Sequence, residues 1–395
     1  MPSPRGAAFR ALVACAVTVL AAAPLTAASA EDEDSAVGHV YVLNNNLGST
    51  NSITVFGRAA DGALHLQGVT PIGGTGSLLA FADGTEGSII RTPDRERLFA
   101  VDAGSDQISV LDADDGHLSV VGVFASGGAG PVSLTYGHGR LYVLNAANAS
   151  ASAANVSGFN VDEHGGLHAI SSATRPLSSA HPNPAQVQLA PDGTRLLVTE
   201  KGTNLIDIYD VGHDGSLSGP TSVPSVGIIP FGMAFDPTRR DEVVVADAGT
   251  PPAPNGAATA YRVTDNALHL IDGPVADHQI APCWMVITRN GQFAYTSNAD
   301  SQTISGYRIA RDGSLSLLDA NGTTATTPPD TFPLEESLTH NSRFLYVLDS
   351  RLLLPAGPGP ATLSGFRVHA DGSLTPVVDP STITLPFSAI GQTSD

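Results

Sequence analysis

His181 stands in the loop Ser178-Ser179-Ala180-His181-Pro182-Asn183-Pro184, and Glu200 closes the apolar stretch Leu196-Leu197-Val198-Thr199 that follows it. A histidine titrates near neutral pH, and a carboxylate beside it balances the charge it gains, so the two residue types together can move a proton. These are the candidate catalytic residues. Lys201, the only lysine of the chain, and Asn298 are suited to holding an oxyanion as it develops. Trp284, the only tryptophan, has a broad apolar face with one donor, which fits stacking on a small ring or packing between elements. Cys283 has no adjacent histidine and reads as a buried, inert thiol, with His278 upstream as the one feature pointing the other way. Neither an EF-hand loop nor a zinc-type His/Cys spacing is present, so no metal or cofactor is expected.

The elements that must position these residues come from a repeat of roughly fifty residues. An apolar strand ending in a polar residue recurs seven times, ending at Asn44, Asp102, Asn145, Glu200, Asp247, Asn298 and Asp349. A second strand follows each, as in Ser-Ile-Thr-Val-Phe or Leu-Ser-Gly-Phe-Arg-Val, and runs into a turn such as Asp61-Gly62, Asp214-Gly215 or Asp371-Gly372. Asp-Gly between alternating apolar runs marks a tight hairpin. With one strand before this pair and one after it, each repeat is a four-stranded antiparallel meander. Radial repetition of such sheets is an all-β, seven-bladed β-propeller.

Pro131, Pro184, Pro230, Pro282 and Pro333 open the innermost strands of five blades. Blade one begins at its second strand, residues 39–44, and residues 386–390 are expected to supply its missing inner strand, closing the ring. Connections in an antiparallel meander alternate between faces. The polar strand ends and the Pro-led loops therefore share one face, the mouth of the central channel, and the Asp-Gly turns share the other. Asn44, Asp102, Asn145, Asp247, Asn298 and Asp349 join Lys201 and Trp284 as candidate substrate contacts there. An Asn or Asp at a strand end also satisfies free backbone groups, the role that repetition in every blade favours.

Residues 1–30 carry Arg5 and Arg10, an apolar run and the triplet Ala28-Ser29-Ala30, which reads as a secretory leader cut before Glu31. Leu12-Val13-Ala14-Cys15 fits a lipid-attachment box, but too little apolar sequence precedes Cys15. An acidic segment, residues 31–38, would then precede a propeller of residues 39–395. The formal charge is −19, and losing the leader would make it more negative by two. Nucleic acid and anionic membrane surfaces are poor partners for such a chain, and after the leader no apolar run is long enough to insert in a membrane. Cys283 alone would remain, so no internal disulfide is expected. Nothing in the pattern specifies an oligomer.

Residues 181–211, residues 282–319 and the blade-seven segments Arg-Phe-Leu-Tyr-Val-Leu-Asp and Leu-Ser-Gly-Phe-Arg-Val-His-Ala-Asp-Gly-Ser-Leu resemble the lactonase-type propellers, the family of bacterial 6-phosphogluconolactonases and fungal carboxymuconate cyclases. The resemblance implies a hydrolase acting on a small lactone or related carbohydrate at the channel mouth. The alternative is a non-catalytic propeller binding a glycan, peptide or protein there. His181-Pro182 keeps the start of the family's His-Pro-His run, and Asn183-Pro184 replaces the rest. Pro230-Phe231-Gly232 stands where the family often has an Arg-His pair, and Asp247 where it has a glutamate. Fold does not carry function across a changed site. Mass spectrometry of protein exported from a bacterial host should give an unlipidated N-terminus at Glu31; a diacylated Cys15 would make the leader a lipoprotein signal.

Overall fold

A computed structural model describes residues 36–78, 86–147, 152–352 and 358–395. The expected leader and most of the acidic segment lie outside the described residues. The remainder forms seven antiparallel sheets, and in each the strands run in sequence order from the innermost outward, except in blade one. That blade pairs Gly38–Leu43 with Thr50–Arg58 on one side and with Gly391–Ser394 on the other. The outermost strands of blades three and six are split, Leu167–Ala169 with Arg175–Pro176 and Leu315–Leu317 with Ala325–Thr326.

Closure thus comes from the end of the chain, but five residues later than the proline pattern implies. Val42 pairs with Gln392 and Leu43 with Gly391, so residues 386–390 form the approach to the strand. Pro386 begins a turn there, its carbonyl accepting from the Ala389 amide at 3.1 Å. Blade one needs no proline at that point because Ser388 Oγ ties the loop to the Asn44 carbonyl at 2.8 Å.

A blade is apolar on both faces and is stable only between neighbours. The second strand supplies much of this packing, for example Val40 to Leu43 and Leu345 to Leu348, all fully buried. It also carries a tyrosine that joins consecutive blades. The hydroxyls of Tyr142, Tyr295 and Tyr346 donate to the carbonyls of Gly215, Gly372 and Gly62, each in the Asp-Gly turn of the following blade, at 3.1, 2.8 and 2.8 Å. Such a bond contributes about 1 kcal/mol net, and because the acceptor is a turn carbonyl it fixes blade against blade. These turns depend on glycine: Gly62, Gly215 and Gly372 have φ of 100°, 84° and 93°. Asp61, Asp214 and Asp371 keep ordinary φ, and each accepts an amide two residues ahead; only Asp115-Gly116 has both residues left-handed.

Asp395 locks the closing strand. Its carboxylate accepts from the His39 amide and from Arg91 of blade two, and its backbone oxygen accepts from Arg58 at 3.0 Å. Burial pushes this carboxyl upward, but the bonds from His39 and the charge of Arg91 outweigh it and hold its pKa at about 2. Both side chains of the pair are under a tenth exposed. Removing one partner of a buried ion pair costs about 3–5 kcal/mol. Asp395→Ala should lower the unfolding free energy by about that amount in denaturant titrations, whereas a loss within about 0.5 kcal/mol, as at an ordinary surface site, would show that closure does not depend on this contact.

Candidate functional site

The seven polar residues that end the second strands lie where the strand order places them, but they face into the blades. Asn44, Asp102, Asn145, Glu200, Asp247, Asn298 and Asp349 are all between 0% and 1% exposed. Six of them meet a Ser or Thr of the neighbouring third strand. Asn44 Nδ2 donates to Ser52 at 2.8 Å, Asn145 to Ser157 at 3.2 Å and Asn298 to Ser305 at 2.8 Å. The hydroxyls of Ser109, Thr259 and Ser364 donate to Asp102, Asp247 and Asp349 at 2.7, 2.5 and 2.6 Å. Each of these six short side chains thus turns to its own sheet, the arrangement that a structural role for a strand-end Asn or Asp predicts.

Blade four departs from this pattern. Where other blades carry Ser or Thr it has Asp207, so two acids, Glu200 and Asp207, face each other. The Ser178 amide donates to both, at 3.0 and 2.9 Å, and the hydroxyls of Ser178 and Thr203 also donate to Glu200. Burial raises the Asp207 pKa to about 7, with the charge and contact of Glu200 adding to the effect. His181 is exposed and, among the described residues, makes no hydrogen bond or ion pair with Glu200. The expected His181–Glu200 pair is thus not formed. Glu200 instead anchors Ser178, three residues before His181, and so holds the loop that carries the histidine.

A tighter group forms where blades four, five and six meet the channel. The Lys201 ammonium is buried 4.6 Å from the centre of the Phe231 ring. Phe231 and Trp284 are tilted against each other with centroids 5.4 Å apart, and both are buried, so Trp284 packs the channel rather than presenting an open face. Cys283 beside them is buried, and desolvation drives its thiol pKa far above the ordinary value despite the charge of Lys201. This agrees with an inert thiol.

Glu86 completes the group, and its part was not read from the sequence. With Ile89 opposite Ala100, Glu86 falls level with Asp102 once the bulge of the other inner strands is allowed, the place proline holds in five blades. From blade two it crosses the channel and accepts from the Met285 amide of blade six at 3.2 Å. A Cβ on Gly232 would sit 2.0 Å from its Oε2, so blade five has glycine there because Glu86 fills the space. Its exchange of proline for an acid was the available signal. Burial, then the charge of Glu335, raise the Glu86 pKa well above the carboxylate range. Glu335, held by the Gly87 amide and Ser88, is raised to about 8, and burial raises Glu336, whose two oxygens have no hydrogen-bond partner, well above its ordinary value. Burial in the channel thus favours the protonated form of all three acids.

The model of the family described as lactonase, 7-bladed beta-propeller, matches residues 85–250. The chain is similar to the crystal structure of a Pseudomonas aeruginosa periplasmic gluconolactonase, at 16% identity and a TM-score of 0.67, covering 90% of this chain and 98% of that one. It is also similar to a Bacteroides fragilis structure assigned provisionally as a 6-phosphogluconolactonase, at 17% identity and a TM-score of 0.64, covering 91% and 98%. A Lactobacillus plantarum protein structure has 15% identity and a TM-score of 0.69, with 91% and 99% covered. At these identities the three structures show a shared fold. No curated protein matches the chain in sequence. The matched segment spans blades two to five, and the seven blades of the chain are the architecture that the family's description names. Among the described residues no helix is long and apolar enough to cross a membrane, and no group of His, Cys, Asp or Glu is arranged to hold a metal.

The buried acids set how stability varies with pH. Desolvation raises Asp102 to about 6 and Asp247 and Asp349 to about 7, against an ordinary aspartate value of 3.8. From about pH 4 to about pH 8 the folded chain holds protons that the unfolded chain has released, so their contribution is complete below that window and declines as pH rises through it. Asp395 and Asp162, both lowered to about 2, act oppositely and lose their contribution as pH falls below the ordinary value. Stability should therefore be highest near pH 4–5 and fall by several kcal/mol towards about pH 8. Calorimetric melting from acid to neutral pH measures this, and a melting temperature that rises towards pH 8 would contradict the buried neutral acids.

Proposed function

We propose that this chain is an exported lactonase-type hydrolase that opens a small, unphosphorylated sugar lactone at the channel mouth. The observation that carries the reading is Lys201. It is the only lysine in a chain with twice as many acids as bases, and its ammonium is fixed over Phe231 at the mouth of a propeller whose family is lactonase-like. In a site of low dielectric a fixed cation stabilises charge as it develops on a carbonyl oxygen. Water would add to the carbonyl carbon, His181 would take its proton, and the ring C–O bond would break with the proton returned to the leaving oxygen. Glu200 acts as a positioning residue through Ser178. The leader pattern of residues 1–30 supports export, and the absence of the family's Arg-His pair at Phe231-Gly232 argues against a phosphorylated substrate.

The same departures favour a second reading, a propeller that binds a carbohydrate without turning it over. A pH-monitored screen of aldonolactones and muconolactones separates the two. Turnover above the buffer rate is expected, with Lys201→Ala lowering kcat about 10²–10³-fold, as for loss of one oxyanion donor. His181→Ala should lower kcat while leaving the melting temperature unchanged. No turnover of any lactone would transfer the chain to the binding class. Turnover unaffected by either substitution would place the chemistry elsewhere.

A further inference from the structure

On the face opposite the channel mouth, the turns between first and second strands repeat with a characteristic charge. Blade two has Thr92-Pro93-Asp94-Arg95 and blade four has Ala190-Pro191-Asp192-Gly193. Each aspartate accepts the amide two residues ahead, from Glu96 at 3.1 Å and Thr194 at 2.9 Å. Blades six and seven have Thr288-Arg289-Asn290-Gly291 and Thr339-His340-Asn341-Ser342 instead. Asn290 and Asn341 perform the same bond through their amide oxygens, to Gln292 at 3.1 Å and Arg343 at 3.0 Å. The turn geometry is kept, while the carboxylate is lost and the preceding proline becomes a cation or a titratable base. Two adjacent blades have made the same exchange.

Between these turns lies a pocket of about 400 Å³ lined by Arg289, Asn290, Phe293, Asn341, Arg343 and His369. Its walls are fixed to each other, the Arg289 amide donating to Ser342 Oγ at 2.9 Å and its guanidinium meeting His340 at 2.5 Å. Among the described residues neither Arg289 nor Arg343 forms an ion pair, although acids outnumber bases 38 to 19 in the chain. Arg343 lies over the Phe344 ring, 5.8 Å from its centre. The Asp371 carboxylate accepts from the amide and hydroxyl of Ser373 and interacts with the charge of His369. Guanidinium groups recognise planar or tetrahedral oxyanions through paired donors, and two arginines that no carboxylate neutralises, beside amide donors, are suited to one.

We propose that this pocket is a binding site for a small oxyanionic ligand, bearing a phosphate or carboxylate group, separate from the channel mouth. Only a compact anion fits between the two turns, and its hold weakens with salt because the arginines are exposed. The test is titration of the full chain with inorganic phosphate, and separately with succinate, at low ionic strength, following the His340 and His369 ring resonances. Saturable shifts with either anion are expected, the better one identifying the group recognised. Arg289→Ala with Arg343→Ala should weaken binding at least about tenfold. Asn290→Asp with Asn341→Asp restores the charge that blades two and four carry on the same turn, so it should fold normally and also abolish binding. Shifts that do not saturate, or that persist unchanged in the double aspartate variant, would overturn the proposal.

Discussion

Every blade of this propeller has two apolar faces and so must be covered on both sides, a requirement met only if the seven sheets close into a ring. The remaining features follow from that. A four-residue strand, Gly391–Ser394, completes blade one, and Asp395 beyond it is bound by His39, Arg58 and Arg91, so the contact that joins the ends also joins blades one and two. Tyrosines of the second strands repeat the device on a smaller scale, reaching from one blade to the next blade's turn.

Closure also decides the fate of polar groups. Seven inner strands crowd around one axis, and a polar side chain there is desolvated whether or not it has a partner. The strand-end Asn and Asp residues offset part of the cost by bonding to the third strand. Glu86, Glu335 and Glu336 are shifted by burial towards the protonated form, which couples the stability of the channel to pH. One acid crossing the axis also dictates a neighbour, since Gly232 is the residue that leaves room for Glu86.

The two faces differ in kind. At the mouth, a single buried ammonium is set among aromatic rings and neutral acids, an environment that strengthens its field. On the opposite face, two blades carry Asn290 and Asn341 in place of the turn carboxylate, with Arg289 and His340 in place of the proline before it, without altering the turn. Both faces owe their character to departures from the repeat, because a position free to differ from its six counterparts is one the fold does not dictate.

The sequence by itself determined the number of blades, the strand order, the face on which each loop emerges and the end of the chain that closes the ring. These are local patterns repeated seven times, and a period-two strand bounded by Asp-Gly can be read without knowing its neighbours. It misplaced the closing strand by five residues, since Pro386 marks a turn and only pairing with Val42 sets the register. Only the tertiary structure decided where the polar side chains point. Glu200 turns inward because the amide and hydroxyl of Ser178 and the hydroxyl of Thr203 donate to it, and it makes no bond to His181 among the described residues. Glu86 meets Met285 across 199 residues of chain, and Arg289 meets Ser342 across 53. Strand order fixes which end of a blade a residue occupies, but depth, rotamer and partners across the ring depend on how seven sheets pack about one axis.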